Sequence, residues 1–217
     1  MKSAINLFLK SIVLLLMIVA GMHAQVQDDS ILNRNVKIDP LFNANIWSAV
    51  QDLAYQGIPI GFEAGARWNA DIGPRLLLKS GPLGYVLNSI SKQDPSYTWQ
   101  EVNGVINFFP VMDRNKKSVA FLETRIVPFT VNKGDDRASV VERVSKLYDV
   151  GRENEARFFS VIGAGNHLGL PDKFDERIDV PAGSMRTLLN RLIKVQAYSP
   201  IWSVTQYPNR EELTIVF

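Results

Sequence analysis

The chain has 217 residues, 46% of them apolar and 21% charged, with 24 Lys and Arg against 22 Asp and Glu. These proportions are those of a globular protein and exclude a disordered chain or a polytopic membrane protein. The lack of cysteine excludes disulfides, thiol catalysis, iron–sulfur clusters and zinc–thiolate sites, and two histidines leave little for a histidine-rich metal centre.

Residues 1–24 read as a secretory signal. Lys2 and Lys10 are the only charges before Asp28, and the run from Ile12 to Ala20 supplies an apolar core. Ala24 offers a cleavage point before Gln25, with Gly21 as the alternative. The run is shorter than the roughly 20 residues that span a bilayer, so no integral span is expected once the signal is removed. Its removal takes away two lysines and His23, which brings the formal charge from +2 to zero and leaves His167 as the one histidine. A neutral chain gives no electrostatic case for nucleic acid. The expected location is the periplasm of a Gram-negative bacterium, where a cysteine-free chain needs no oxidative folding.

After the signal, Ile46, Trp47, Ala49, Val50, Leu53 and Ala54 form one helical stripe that Gly57 stops. Ile58–Ala64 and Leu76–Leu78 read as strands. Pro82 suits the first turn of a helix whose Leu83, Val86, Leu87 and Ile90 share one face. Tyr97–Val102 and Val105–Phe109 flank Asn103-Gly104, a strong hairpin signal. Residues 111–118 are polar and charged after Pro110, and are expected to link a first domain, 25–110, to a second, 119–217.

The second half opens with a strand over Arg125–Val131. Asp135-Asp136 then precede a helix carrying Val140, Val141, Val144, Leu147 and Tyr148. Phe158–Ile162 is an apolar run, and Gly163–Gly169 reads as a loop ending at Pro171. Ser184 is a suitable N-cap for the next helix. Strands follow at Ile201–Gln206 and Leu213–Phe217, around a turn at Pro208-Asn209. Arg75–Asp94 set against Arg177–Gln196 gives identities at Arg75/Arg177, Gly81/Gly183, Leu87/Leu189, Asn88/Asn190 and Lys92/Lys194. That gap-free match points to an internal duplication. The expected fold class is α+β: two small units of helices packed on short mixed or antiparallel sheets.

The segment from Leu76 to Ile90 and the closing Tyr97–Asn107 resemble the short N-terminal domain of secretins and TonB-dependent transducers, the STN domain, over residues 46–110. The resemblance implies a compact α+β unit of the bacterial cell envelope that docks other proteins rather than performing chemistry. The chain ends at Phe217 without a following barrel or secretin domain. What carries over is therefore the type, an envelope interaction module, and not the family's roles in signalling or gating.

No pattern of residues argues for an enzyme, a cofactor or a metal. A Ser-His-Asp hydrolase would need His167 as its base, and the Gly-x-Ser-x-Gly elbow is absent. Gly163-x-Gly165 matches half a dinucleotide fingerprint, with the third glycine at Gly169, one position too late. Asp172, Asp175 and Glu176 lack the spacing of a calcium loop. The candidate contact residues are Trp68, which has no evident core role in its loop, Asn166 and His167 in the glycine-rich loop, and Leu213, Ile215 and Phe217. The last three lie on a terminal strand that would pair with a partner's strand if it were an edge. The leading expectation is a non-enzymatic adaptor with an envelope protein partner. The alternative is a small-ligand or cell-wall-glycan binder using a cleft between the halves.

Overall fold

In a computed structural model of the chain, the residues described are 30–38, 45–66, 73–148, 156–159, 173–195, 200–206 and 213–216. The fold is α+β. A six-stranded mixed sheet runs in the order β4 (Tyr97–Val102), β5 (Val105–Pro110), β2 (Ile60–Glu63), β11 (Ile201–Thr205), β12 (Leu213–Val216) and β8 (Ala156–Phe159). Five helices are described: α1 (Ile46–Tyr55), α2 (Leu83–Gln93), α3 (Lys116–Leu122), α4 (Arg137–Tyr148) and α5 (Met185–Lys194). None of them is long and apolar enough to cross a membrane.

Three short antiparallel ribbons complete the structure. β1 (Asn35–Val36) pairs with β3 (Gly81–Pro82), β6 (Arg125–Ile126) with β10 (Gly183–Ser184), and β7 (Phe129–Val131) with β9 (Ile178–Val180). Pro128 divides what the sequence presents as one strand, Arg125–Val131, because proline has no N–H for a ladder.

The sheet joins both halves of the chain. β5 lies antiparallel to β4 and parallel to β2, and β12 lies antiparallel to β11 and parallel to β8. Each half thus gives a triplet of the same order and sense, and β2 and β11 join the triplets in parallel, with Ile60 opposite Ile201. All strand directions in the second triplet are reversed relative to the first. Reversal turns the second triplet's helix-bearing side to the opposite face. Two cores result. Ile60, Phe62, Ile106 and Phe108 pack under α1 and α2 on one face. Trp202, Val204, Leu213 and Ile215 pack under α3, α4 and α5 on the other.

The correspondence extends to details. The amide of Leu83, opening α2, donates to the carbonyl of Arg34 at 2.8 Å, and that of Met185, opening α5, donates to Thr124 at 2.9 Å. Both accepting residues immediately precede the strand that pairs with the helix's leading ribbon. Gly81 pairs with buried Val36 as Gly183 pairs with buried Ile126.

Local signals in the sequence place most boundaries. Asn45 accepts from Ser48 N at 3.0 Å and Ser184 from Thr187 N at 3.3 Å, each capping its helix. The Asp136 side chain accepts from Ser139 N at 2.8 Å at the start of α4. That backbone N–H holds its carboxyl below the usual range. Asn103 and Gly104 both take positive φ, 55° and 80°, as a two-residue turn matched to strand twist requires.

Two stretches differ from the sequence reading. Leu76–Leu78 joins no sheet. The Gln93 side chain pairs with both backbone groups of Leu77 in place of a neighbouring strand, at 2.7 and 3.1 Å. Residues 111–118 are more than a connector. Arg114 bridges to Gly65, and Asn115 caps α3 by accepting from Lys117 N and Ser118 N.

At the β2–β11 joint the Trp202 indole packs against Gly61. A Cβ on Gly61 would stand 2.3 Å from the ring and 2.8 Å from Asn107 Oδ1. Both neighbours are buried, so neither can yield cheaply. Gly61→Ala is expected to destabilise the fold by about 2 kcal/mol or more. Urea denaturation checks this, and an unchanged midpoint would show that the indole can move aside.

Candidate functional site

Three features near the joint carry side-chain chemistry. The first is ionic. Glu63 ends β2 on the Trp202 side and is fully buried. Arg114 grips it with two bonds, Nε to Oε1 at 2.8 Å and a terminal nitrogen to Oε2 at 2.6 Å. Arg186 of α5 adds a third at 3.2 Å and also faces Glu123 at 3.5 Å. The carboxylate therefore ties β2, the segment before α3, and α5. Its hydrogen bonds raise the Arg114 pKa above the ordinary value, more than burial lowers it. The Arg186 guanidinium also lies over the Trp202 ring at 5.8 Å.

The second is a cavity of about 320 Å³, largely apolar, at the end of β5 and the start of β4. Ile46, Ala66, Pro74, Pro95, Tyr97, Pro110, Val111 and Met112 line it, with Asp94 and Asp113. Val111 and Met112 are exposed, at 56% and 78%. Tyr97 stacks on Phe62 at 5.4 Å, and its hydroxyl accepts from Gly65 N at 3.0 Å. Burial pushes the Tyr97 hydroxyl up to about 12, partly offset by the Gly65 N–H and assisted by the charges of Asp94 and Glu63.

The third is a cavity of about 450 Å³ between the β4–β5 turn and α5. Val102, Asn103, Val105 and Pro181 form part of its wall, and Arg186, Thr187, Asn190, Arg191 and Lys194 form the rest. The five helical positions fall on one face of α5. Lys194 Nζ donates to the Asn103 carbonyl at 2.9 Å, fixing the cation at the turn.

The residues singled out from sequence fare unevenly. Trp68, Asn166, His167 and Phe217 lie outside the described residues. Leu213 and Ile215 are fully buried. Their strand, β12, is paired on both sides, so it is not an edge. Trp99 packs part-buried against the first core, and Trp202 is enclosed in the second. Sequence pattern alone does not single out Glu63, Arg114 or Arg186, though the lone carboxylate in Ile60-Gly-Phe-Glu63 is a signal: a charge on a buried strand needs a partner. Asn190 had a weaker one in its match to Asn88. Among the described residues, no group of three or more His, Asp or Glu could hold a metal ion.

No family model matches the chain, and neither a curated protein nor a solved structure matches it.

Two predictions follow from this chemistry. Glu63→Gln removes the buried charge that both Arg114 and the largely buried Arg186 face, leaving Arg186 only the exposed Glu123, and is expected to cost about 3 kcal/mol, measured by urea denaturation. A loss below about 0.5 kcal/mol, the range of ordinary surface changes, would show that solvent screens the cluster. Tyr97 holds its proton more tightly when folded. Stability from that group is complete below about pH 10, the ordinary tyrosine value, and is lost as pH rises from there to about 12. Denaturation series across that window should show this fall in the native protein and a smaller one in Tyr97→Phe.

Proposed function

We propose that the protein is exported to the periplasm and acts there as a non-enzymatic adaptor that captures an extended segment of a partner protein along β4. One observation carries this reading: among the described residues, β4 is a six-residue strand paired on one side only, to β5. The two-residue turn makes Val102 and Val105 a hydrogen-bonded pair. By alternation, Trp99 and Glu101 direct their backbone groups outward. An incoming strand would meet that row of donors and acceptors, with the apolar cavity at the Tyr97 end ready for a side chain. The signal-like residues 1–24 and the resemblance of residues 46–110 to the STN unit support the envelope setting. We infer also that the two halves descend from one duplicated unit, a reading supported by their shared ribbon, helix and hairpin order.

The test is a crosslinking pull-down from intact cells with the tagged protein and its Glu101→Pro variant. Proline there removes an outward N–H while leaving the β4–β5 ladder intact. The adaptor reading expects a stoichiometric envelope partner whose capture falls at least about tenfold in the variant, with cooperative unfolding retained. Equal capture by both proteins would move the contact away from β4, and no partner at all would defeat the reading.

A further inference from the structure

We propose that the cavity between the β4–β5 turn and α5 is a binding site for a small organic oxyanion, a ligand presenting a phosphate or carboxylate group. This inference is independent of strand capture at β4, which uses the sheet edge and the apolar cavity at the far end of the strand.

Charge is the first ground. Among the described residues no carboxylate lines the cavity, whereas Arg186, Arg191 and Lys194 do. The charge of Arg186 is met by Glu63 and Glu123. Arg191 makes no ion pair or hydrogen bond among the described residues. The Lys194 ammonium is anchored by one neutral carbonyl and keeps two donors for a ligand. The wall therefore carries two positive charges with no described counter-charge. A guanidinium and an ammonium that converge on one space suit a dianionic head group.

The second ground is a buried amide. Asn190 is 6% exposed and lines the cavity. The Trp202 Nε1 can only donate, and it does so to Asn190 Oδ1 at 2.7 Å. This fixes which end of the amide faces the indole, so the NH2 end is turned away from it. That nitrogen has no acceptor among the described residues. The nitrogen is not enclosed, so it stays open to the cavity, where an oxyanion can accept a hydrogen bond from it. Thr187 adds a hydroxyl that can bond a neutral part of the ligand. The volume exceeds that of a bare phosphate and lies in the range of small-molecule sites.

An NMR titration of the 15N-labelled chain tests this with inorganic phosphate, succinate and chloride at one ionic strength. Only four tryptophan side chains occur, so the Trp202 indole signal is readily followed beside the Asn190 side-chain amide. Phosphate or succinate should shift both signals saturably, and the tighter of the two names the head group. The Arg191→Gln/Lys194→Gln variant changes only exposed side chains. It should keep the native melting temperature and bind at least about tenfold more weakly. If both anions act no differently from chloride, or the variant binds as tightly as the native chain, the site is overturned.

Discussion

The structure hangs on the parallel pairing of β2 with β11. Among the described residues it is the only place where the two triplets of the sheet share backbone hydrogen bonds. Side chains on one face of the joint are fitted to each other. Trp202 occupies the space that a side chain on Gly61 would take, Asn190 holds its indole N–H, and Arg186 covers its ring. Beside them Glu63 is buried with a bidentate arginine on one side and a second arginine on the other. Burying that carboxylate is costly, and only the geometry of its partners offsets the loss of water. A pair of this kind adds little net stability but punishes any other register, because a one-residue slip would turn Glu63 into the apolar core under α1.

Reversal of the second triplet has a larger consequence. Had both triplets run the same way, all helices would cover one face and leave the other bare. Reversal puts a layer of helices on each face, so both faces of the central strands are buried. It also brings α5 of the second half over β2 and the β4–β5 turn of the first. The cavity with Arg191, Lys194 and Asn190 exists because of that overlap. Neither half alone would form it.

The same geometry explains the unequal fates of matched residues. Asn88 and Asn190 fall at matched positions of α2 and α5 when Arg75–Asp94 is set against Arg177–Gln196. Asn88 is exposed, whereas Asn190 is enclosed by the hairpin of the other half and bonded to Trp202. A similar sequence can thus give a solvated helix face in one half and a buried polar contact in the other. The difference lies in what the neighbouring triplet presents to it.

Read by itself, the sequence determined the local elements. The five described helices stand where apolar spacing and the caps Asn45, Ser184 and Asp136 place or support them, except α3, which is too short to show a stripe. The Asn103-Gly104 turn was legible because only such residues accept two successive positive φ values. The α+β class follows from those elements. The tertiary structure alone decided which strands meet. Strand order, the inversion of the second triplet and the interior position of β12 arise from pairings between residues far apart in the chain, such as Ile60 with Ile201 and Leu213 with Ala156. Hydrophobic period says which face of a strand is buried and nothing about its edges, which is why a terminal strand could be read as free. The charged cluster at Glu63 and the basic cavity under the hairpin were hidden for the same reason. Their members are scattered through the chain and gain their chemistry only from distance.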